Sequence, residues 1–246
     1  MSHYSRIDEI QGIYVNDDTG EIDIENLIDT TYLPLMLRHF KGVPITAQSK
    51  VLELGYGSGA MTDALVRAGY SVTLVEGSRK LCDHASDRFG NAVEIHCSLF
   101  EHFSPPCLYH QVLALHVLEH VEDLASVLIN IYKWMEPGGR VIAVVPNSQS
   151  LHRQLAVMMG LQEAVDTLSA RDHLVGHKRV MNMIDLELAI RGAGFNVTHK
   201  FGYFLKVVPN SMMRSWPPNL LKHLTSISDK IDPTFSANIG VVAEKL

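Results

Sequence analysis

Val51-Leu52-Glu53-Leu54-Gly55-Tyr56-Gly57-Ser58-Gly59-Ala60 decides the fold. A short apolar run ends in three glycines at alternate positions, and a helical pattern follows directly. The run is too short for a buried helix and has no polar alternation, so it suits a strand covered on both faces. The glycines let the chain turn tightly and bring its backbone against a ligand. A strand, a glycine turn and a helix form the opening of a βαβ unit.

The same grammar repeats downstream. Ser71-Val72-Thr73-Leu74-Val75-Glu76, Ala92-Val93-Glu94-Ile95-His96-Cys97, His110-Gln111-Val112-Leu113-Ala114-Leu115 and Arg140-Val141-Ile142-Ala143-Val144-Val145 are four further strands of this kind. Helices are expected over residues 60–68, 78–89 and 122–135, stopped by Gly69, Gly90 and Pro137-Gly138-Gly139. Residues 184–191 form another helix, closed by Gly192-Ala193-Gly194, and residues 196–207 and 238–244 are the last two strands. The expected architecture is α/β, a doubly wound, Rossmann-like, mostly parallel seven-stranded sheet with helices on both faces. Residues 1–48 are expected to be a helical N-terminal cap, with Asp29 or Thr30 capping a helix over 32–40 and Gly42, Pro44 and Ser49 as breaks. Residues 49–246 form the main domain, with a lid insertion at 147–180 and a second, irregular insertion at 208–235.

The bulk composition narrows the function. The chain has 246 residues, 46% of them hydrophobic, and a net charge of -6. No broad basic field is available to hold a nucleic-acid backbone, so no nucleic-acid partner is expected. The N-terminal MSHYSRIDEI lacks the apolar core of a signal peptide, and no membrane span is expected. Cys82, Cys97 and Cys107 lack metal-site spacing and are read as free thiols in a reducing, cytoplasmic setting.

The glycine loop alone fits two cofactors. With Ala60 it satisfies Gly-x-Gly-x-x-Ala, and Glu76 lies about twenty residues on, where an acid accepts bonds from ribose hydroxyls. A nicotinamide-dependent oxidoreductase is therefore one reading. Glu53 opposes it: a carboxylate there faces a pyrophosphate unfavourably and an amino acid's ammonium favourably. No Tyr-x-x-x-Lys arrangement follows.

The segments taken in order carry a resemblance. The 51–59 motif, Glu76-Gly77-Ser78, Val117-Leu118-Glu119-His120-Val121, Glu136-Pro137-Gly138-Gly139-Arg140 and the stretch from His177 to Phe195 together resemble class I S-adenosylmethionine-dependent methyltransferases, in particular small-molecule O-methyltransferases of the ubiquinone type (methyltransferase types 11 and 12). The resemblance covers roughly residues 48–200. It implies S-adenosylmethionine as cofactor, S-adenosylhomocysteine as product and a small-molecule acceptor. The cofactor set it implies is Glu53, Gly55, Tyr56, Gly57 and Gly59 around the loop, Glu76 and Gly77 at the ribose, Ser98, Leu99 and Phe100 at the adenine, and His116 at the methionine end. The chain departs from the family pattern after strand three, where Ser98-Leu99-Phe100-Glu101 replaces an Asp-Ala-type pair.

An oxygen acceptor must lose a proton, and histidine is the natural base near neutral pH. His177 is the first choice, His173 the second, and His116 a third group at the crevice. Glu119 and His120 are read as loop and helix-start residues rather than catalysts. Arg153, Arg171, Lys178 and Arg179 in or beside the lid suit an anionic acceptor. No metal-binding carboxylate cluster is evident, so metal-independent in-line transfer is expected. An amine acceptor, a non-catalytic cofactor-binding subunit and a homodimer stay open.

Overall fold

The strand Lys50–Leu54 (β1) lies at the centre of a seven-stranded sheet in this computed structural model, which describes residues 7–8, 21–40 and 49–246. The breaks expected at Gly42 and Pro44, and all of MSHYSRIDEI except Ile7 and Asp8, lie outside the described residues. The helix Glu21–Leu37 (α1) precedes β1; then come Ala60–Arg67 (α2), Ser71–Glu76 (β2), Arg79–Phe89 (α3), Val93–Cys97 (β3), Tyr109–Leu115 (β4), Leu124–Trp134 (α4) and Met135–Pro146 (β5). Leu151–Met158 (α5) and Ala170–Leu174 (α6) lie within the lid segment. They are followed by Met183–Gly192 (α7), Asn196–Tyr203 (β6), Asn210–Met213 (α8), Pro218–Ser226 (α9) and Asn238–Glu244 (β7).

The strand order is β3-β2-β1-β4-β5-β7-β6. The first five strands pair in parallel, and β7 runs antiparallel to both β5 and β6. The order reverses between β1 and β4, so a crevice opens beyond their carboxyl ends, where ligands bind in open α/β sheets.

Strand residues alternate between two cores. Val51, Leu74, Leu113 and Ile142 pack under α1, α2 and α3, whereas Leu52, Leu54, Val112 and Ala143 pack under α4 and α7. The continuous apolar runs follow from this double covering. Local chemistry sets the helix starts: Ser78 accepts from Leu81 N, Asp123 from Ser126 N, and Asn182 from Ile184 N and Asp185 N.

Four sequence expectations are corrected. Asp29 and Thr30 lie inside α1 rather than at its cap, because Ile24, Ile28, Tyr32 and Met36 at every fourth position bury one long helical face. The helix expected over 122–135 starts after its cap Asp123, at Leu124. The strand expected over 196–207 stops at Tyr203, where Phe204 takes φ 65 and turns the chain. The segment 208–235 is ordered into α8, α9 and two 3-10 turns. α9 packs on α1, and Arg38 joins the two regions with a bidentate pair to Asp229 at 2.8 and 3.0 Å.

Candidate functional site

The crevice is a cavity of about 720 Å³ walled by the ends of β1, β2 and β4, by α1 and by the lid. Its floor is the glycine loop. Gly55 has φ 81, and a Cβ there would run into Val117. Gly57 has φ 52, and a Cβ there would project into open space. The loop therefore leaves room for a ligand against its backbone.

Glu76 organises that loop. Its Oε2 accepts from Tyr56 N at 2.9 Å and its Oε1 from Ser78 N at 2.7 Å. Burial raises its pKa, and the backbone N–H groups of Ser78 and Tyr56 oppose the rise. Each oxygen keeps a lone pair for a further donor. The Tyr56 side chain turns away from the cavity floor, with its hydroxyl 2.9 Å from His84 Nδ1, so Tyr56 serves the loop through its N–H. Gly77 lies against Leu99 and Ile7, and Ser98, Leu99, Phe100 and Glu101 line the same wall. Ser98 N donates to Glu76 O at 2.9 Å, and its hydroxyl is turned onto Leu99 O.

Glu53 is buried at the end of β1 and accepts from Thr62 Oγ1 at 2.8 Å. Burial pushes its pKa up to about 8; the Thr62 bond lowers it and Glu76 raises it.

The other half of the cavity is rich in histidine. His116 follows β4 with φ 55, its Nε2 2.6 Å from the Tyr203 hydroxyl and its Nδ1 3.4 Å from Glu119 Oε1. Tyr203 stacks on Tyr32 of α1 at 3.8 Å. Glu119 is 1% exposed, and its carboxylate faces the imidazoles of His116 at 3.4 Å and His177 at 4.0 Å. Burial works to raise its pKa, yet His116, His120 and His177 around it hold it below the ordinary value. Glu119 is thus no helix cap, a task Asp123 performs.

The lid returns to this point. His177 Nδ1 is 2.7 Å from Asp172 Oδ1, and its Nε2 is 4.0 Å from Glu119 Oε1. Its ring meets His120 edge-on at 4.8 Å. Asp172 is buried among Arg153 NH2 at 2.6 Å, Ser169 Oγ at 2.6 Å and Ser169 N at 2.7 Å. Burial acts to raise its pKa, but these partners and His177 hold it well below the carboxylate range. Lys178 N donates to Glu119 O at 2.8 Å, and Arg179 NH1 donates to Leu118 O and Val121 O, so the end of the lid is stitched to the loop after β4.

The structure therefore brings His116 and His177 together and leaves His173 out. His173 is exposed on α6 and does not line the cavity. The free nitrogen of His177 faces Glu119 and His120. The sequence reading found no metal-capable cluster, but the fold assembles one: Glu119, His120 and His177 each offer a ligand atom within 4.8 Å of the others. Sequence reasoning passed over Asp172 and Tyr203, and it offered Arg153 to an anionic acceptor, whereas Arg153 pairs with the buried Asp172. Only Asp172 carried a local signal, the Ser169-x-x-Asp172 capping box. Among cations, Arg171, Lys178 and Lys206 line the cavity beside His152, whose pKa is lowered to about 3 by burial and then by Lys206 and Arg153.

Comparison with known proteins agrees with this geometry. Residues 31–200 match the family described as methyltransferase domain. The chain is 27% identical over 150 residues to a mitochondrial ubiquinone biosynthesis O-methyltransferase of Schizosaccharomyces pombe, covering 58% of this chain and 54% of that protein. The match thus spans about half the length of that relative. It is 23% identical over 210 residues to a ubiquinone biosynthesis O-methyltransferase of Rhodopseudomonas palustris, covering 84% and 75% of the two chains. A Burkholderia thailandensis 1,6-didemethyltoxoflavin-N1-methyltransferase, solved with S-adenosylhomocysteine, shares the fold with a TM-score of 0.62 at 16% identity, over 100% of this chain and 91% of that one. Among the described residues, no helix is long and apolar enough to cross a membrane.

Proposed function

The chain belongs to the class I S-adenosylmethionine-dependent methyltransferases, and from that premise we propose that it transfers a methyl group to an oxygen of a small acceptor held beneath the lid. The observation that carries the reading is the Glu76 carboxylate. It is buried, fixed by two backbone donors and beside a loop whose Gly57 leaves open space, which together fit a nucleoside ribose. S-adenosylmethionine, when bound, supplies an electrophilic methyl on a sulfonium.

Glu53 receives the ammonium of the methionine end, and Leu99 and Phe100 flank the adenine. The acceptor lies between the Tyr32–Tyr203 stack and the cavity cations Arg171 and Lys178 of the lid and Lys206 after β6, an arrangement that suits an aromatic or apolar body bearing an anionic group. Its hydroxyl oxygen forms the new O–C bond, the electron pair of the broken C–S bond goes to sulfur, and the hydroxyl proton goes to a cavity histidine. We assign that role to His116. It adjoins the loop that holds the methionine end, and its Nε2 already accommodates a hydroxyl, that of Tyr203, at 2.6 Å. The relatives named for ubiquinone O-methylation support oxygen as the acceptor atom. The 147–180 lid, the 208–235 insertion and α1 enclose the acceptor and exclude water.

Calorimetry tests the cofactor: S-adenosylhomocysteine should bind and NAD should not, and the reverse would overturn the reading. Mass-shifted methyl should then appear on oxygen in an acceptor screen. His116→Ala should lower kcat with little change in S-adenosylhomocysteine affinity; unchanged kcat would remove the base assignment.

A further inference from the structure

We propose that Arg88 and His84, on the outer side of α3, are positioning residues for the cofactor, holding the glycine loop from behind through Ser58 and Tyr56. The loop needs such a hold. Gly55, Gly57 and Gly59 all take positive φ, at 81, 52 and 73. Glycine reaches that region freely but reaches many others as well, so a floor built from three of them is costly to fix in one shape.

Two supports fix it. On the cavity side, Glu76 Oε2 accepts from Tyr56 N at 2.9 Å. The other support comes from α3. Arg88 NH1 donates to Ser58 O at 3.1 Å, and Arg88 NH2 lies 3.6 Å from Asp63 Oδ1 in the first turn of α2. The guanidinium sits 5.1 Å from the centre of the Phe89 ring, which steadies its approach. The Tyr56 ring lies directly against Gly59, where a Cβ would come 2.4 Å from the tyrosine hydroxyl. That hydroxyl is 2.9 Å from His84 Nδ1. Burial raises its pKa, and Arg88 beside it opposes the rise. Tyr56 is thus held at its root by Glu76 and at its tip by two side chains of α3.

Arg88 and His84 are exposed, and neither lines the cavity. Exposed pairs of this kind add little to global stability. Removing them leaves the fold intact but gives the loop conformations that bind no cofactor. The apparent Kd then rises as the competent fraction falls: a fraction between a third and a tenth gives about a 3- to 10-fold rise. That consequence rests on reading the loop as the seat of S-adenosylmethionine, whereas the hold on the loop does not.

The test uses the full chain and two readouts. Amide hydrogen exchange of the unliganded protein, followed by mass spectrometry, reads the loop itself. The peptide covering Leu54 to Ala60 should exchange about 3- to 10-fold faster in Arg88→Ala than in wild type, with peptides of β4 and β5 unchanged. Calorimetry reads the cofactor. The Kd for S-adenosylhomocysteine should rise by the same factor in Arg88→Ala, by less in His84→Ala, and return toward wild type in Arg88→Lys, which keeps a donor for Ser58 O. Arg67→Ala is the control: Arg67 pairs with the same Asp63 at 2.8 Å but is 79% exposed, and its loss should move neither readout. Tyr56→Phe, which keeps the ring and loses only the hydroxyl, repeats the test if Arg88→Ala loosens the whole chain. Loop exchange equal to wild type in both variants would overturn the proposal, and so would faster exchange with an unchanged Kd. If the wild-type chain binds no S-adenosylhomocysteine, the methyl-transfer reading falls and the exchange data alone decide the hold.

Discussion

Replacing Glu76 by glutamine probes the cofactor floor with almost no change of shape. In the native chain both carboxylate oxygens accept backbone N–H groups, from Tyr56 at 2.9 Å and Ser78 at 2.7 Å, and both have lone pairs left for ribose hydroxyls. In Glu76→Gln one oxygen becomes an NH₂ group that faces a donor. The ribose loses one acceptor, and its remaining bond falls from charge-assisted to neutral. Hydrogen bonds to charged groups contribute about 1.5–3 kcal/mol and neutral ones about 1 kcal/mol, so the combined loss is about 2–4 kcal/mol. At about 1.4 kcal/mol per tenfold, the Kd for S-adenosylhomocysteine should rise roughly 30- to 1,000-fold. The unliganded fold should suffer less, because relief of a buried charge offsets the mismatched N–H. Isothermal calorimetry gives the Kd, and a thermal melt without ligand gives the control. A Kd within threefold of wild type, in a variant that melts normally, would refute the ribose assignment.

Glu53 makes a proton-linkage prediction. Burial raises its pKa to about 8 in the unliganded chain, above the ordinary 4.5. Its stabilising contribution is therefore fully present below about pH 4.5 and is lost as pH rises through about 8. Glu53→Gln should flatten that decline, seen as a smaller fall in Tm between about pH 5 and pH 8. If Glu53 meets the cofactor's ammonium, binding at about pH 7 should release close to one proton, measured by calorimetry in buffers of different ionisation heat; no release would remove the contact. Gly57→Val places a side chain in the open space over the loop at φ 52, with about 1–2 kcal/mol of backbone strain, and should abolish S-adenosylhomocysteine binding while far-UV circular dichroism stays native. Arg153→Met leaves Asp172 without its buried guanidinium and frees the Thr167 carbonyl that Arg153 also holds. The loss should be about 3–5 kcal/mol in urea denaturation, and a loss under about 1 kcal/mol would show that the lid does not depend on the pair.

What could be read from the sequence was what local chemistry determines. β1 to β5 are covered on both faces, so each is written as an unbroken apolar run, and the stops between them are glycines and prolines with their own turn chemistry. The nucleotide floor is equally local: Gly55, Gly57 and Glu76 belong to the first βαβ unit, and their spacing is set by one strand, one helix and one return strand. The misreadings have separate causes. Ile24, Ile28, Tyr32 and Met36 spell a long helix face, and Asp29 and Thr30 on its polar side were mistaken for caps. Phe201 to Val208 is apolar enough to continue a strand, but the positive φ of Phe204 has no residue signature, since glycine is the usual occupant there. Pro217-Pro218 marks the start of α9, with proline at a first-turn position, inside a segment expected to be irregular.

The acceptor end was illegible for a deeper reason. Glu119 reads as an ordinary acidic residue near a helix start, and His177 as one of thirteen histidines, until the lid returns and Lys178 N bonds Glu119 O. That closure is set by Arg153 and Asp172, whose pairing spans α5 and α6. The position of His177 thus depends on a buried ion pair two elements away. Mutations along this chain should therefore act in order: loss of Arg153 loosens the lid, loss of Asp172 frees the His177 ring, and loss of His177 removes one contact to Glu119. A ranking of variants by loss of stability should run in that order, because each step removes less buried structure. If His177→Gln cost more stability in urea denaturation than Arg153→Met, the lid would be held from the His177–Glu119 side and not by the Arg153–Asp172 pair.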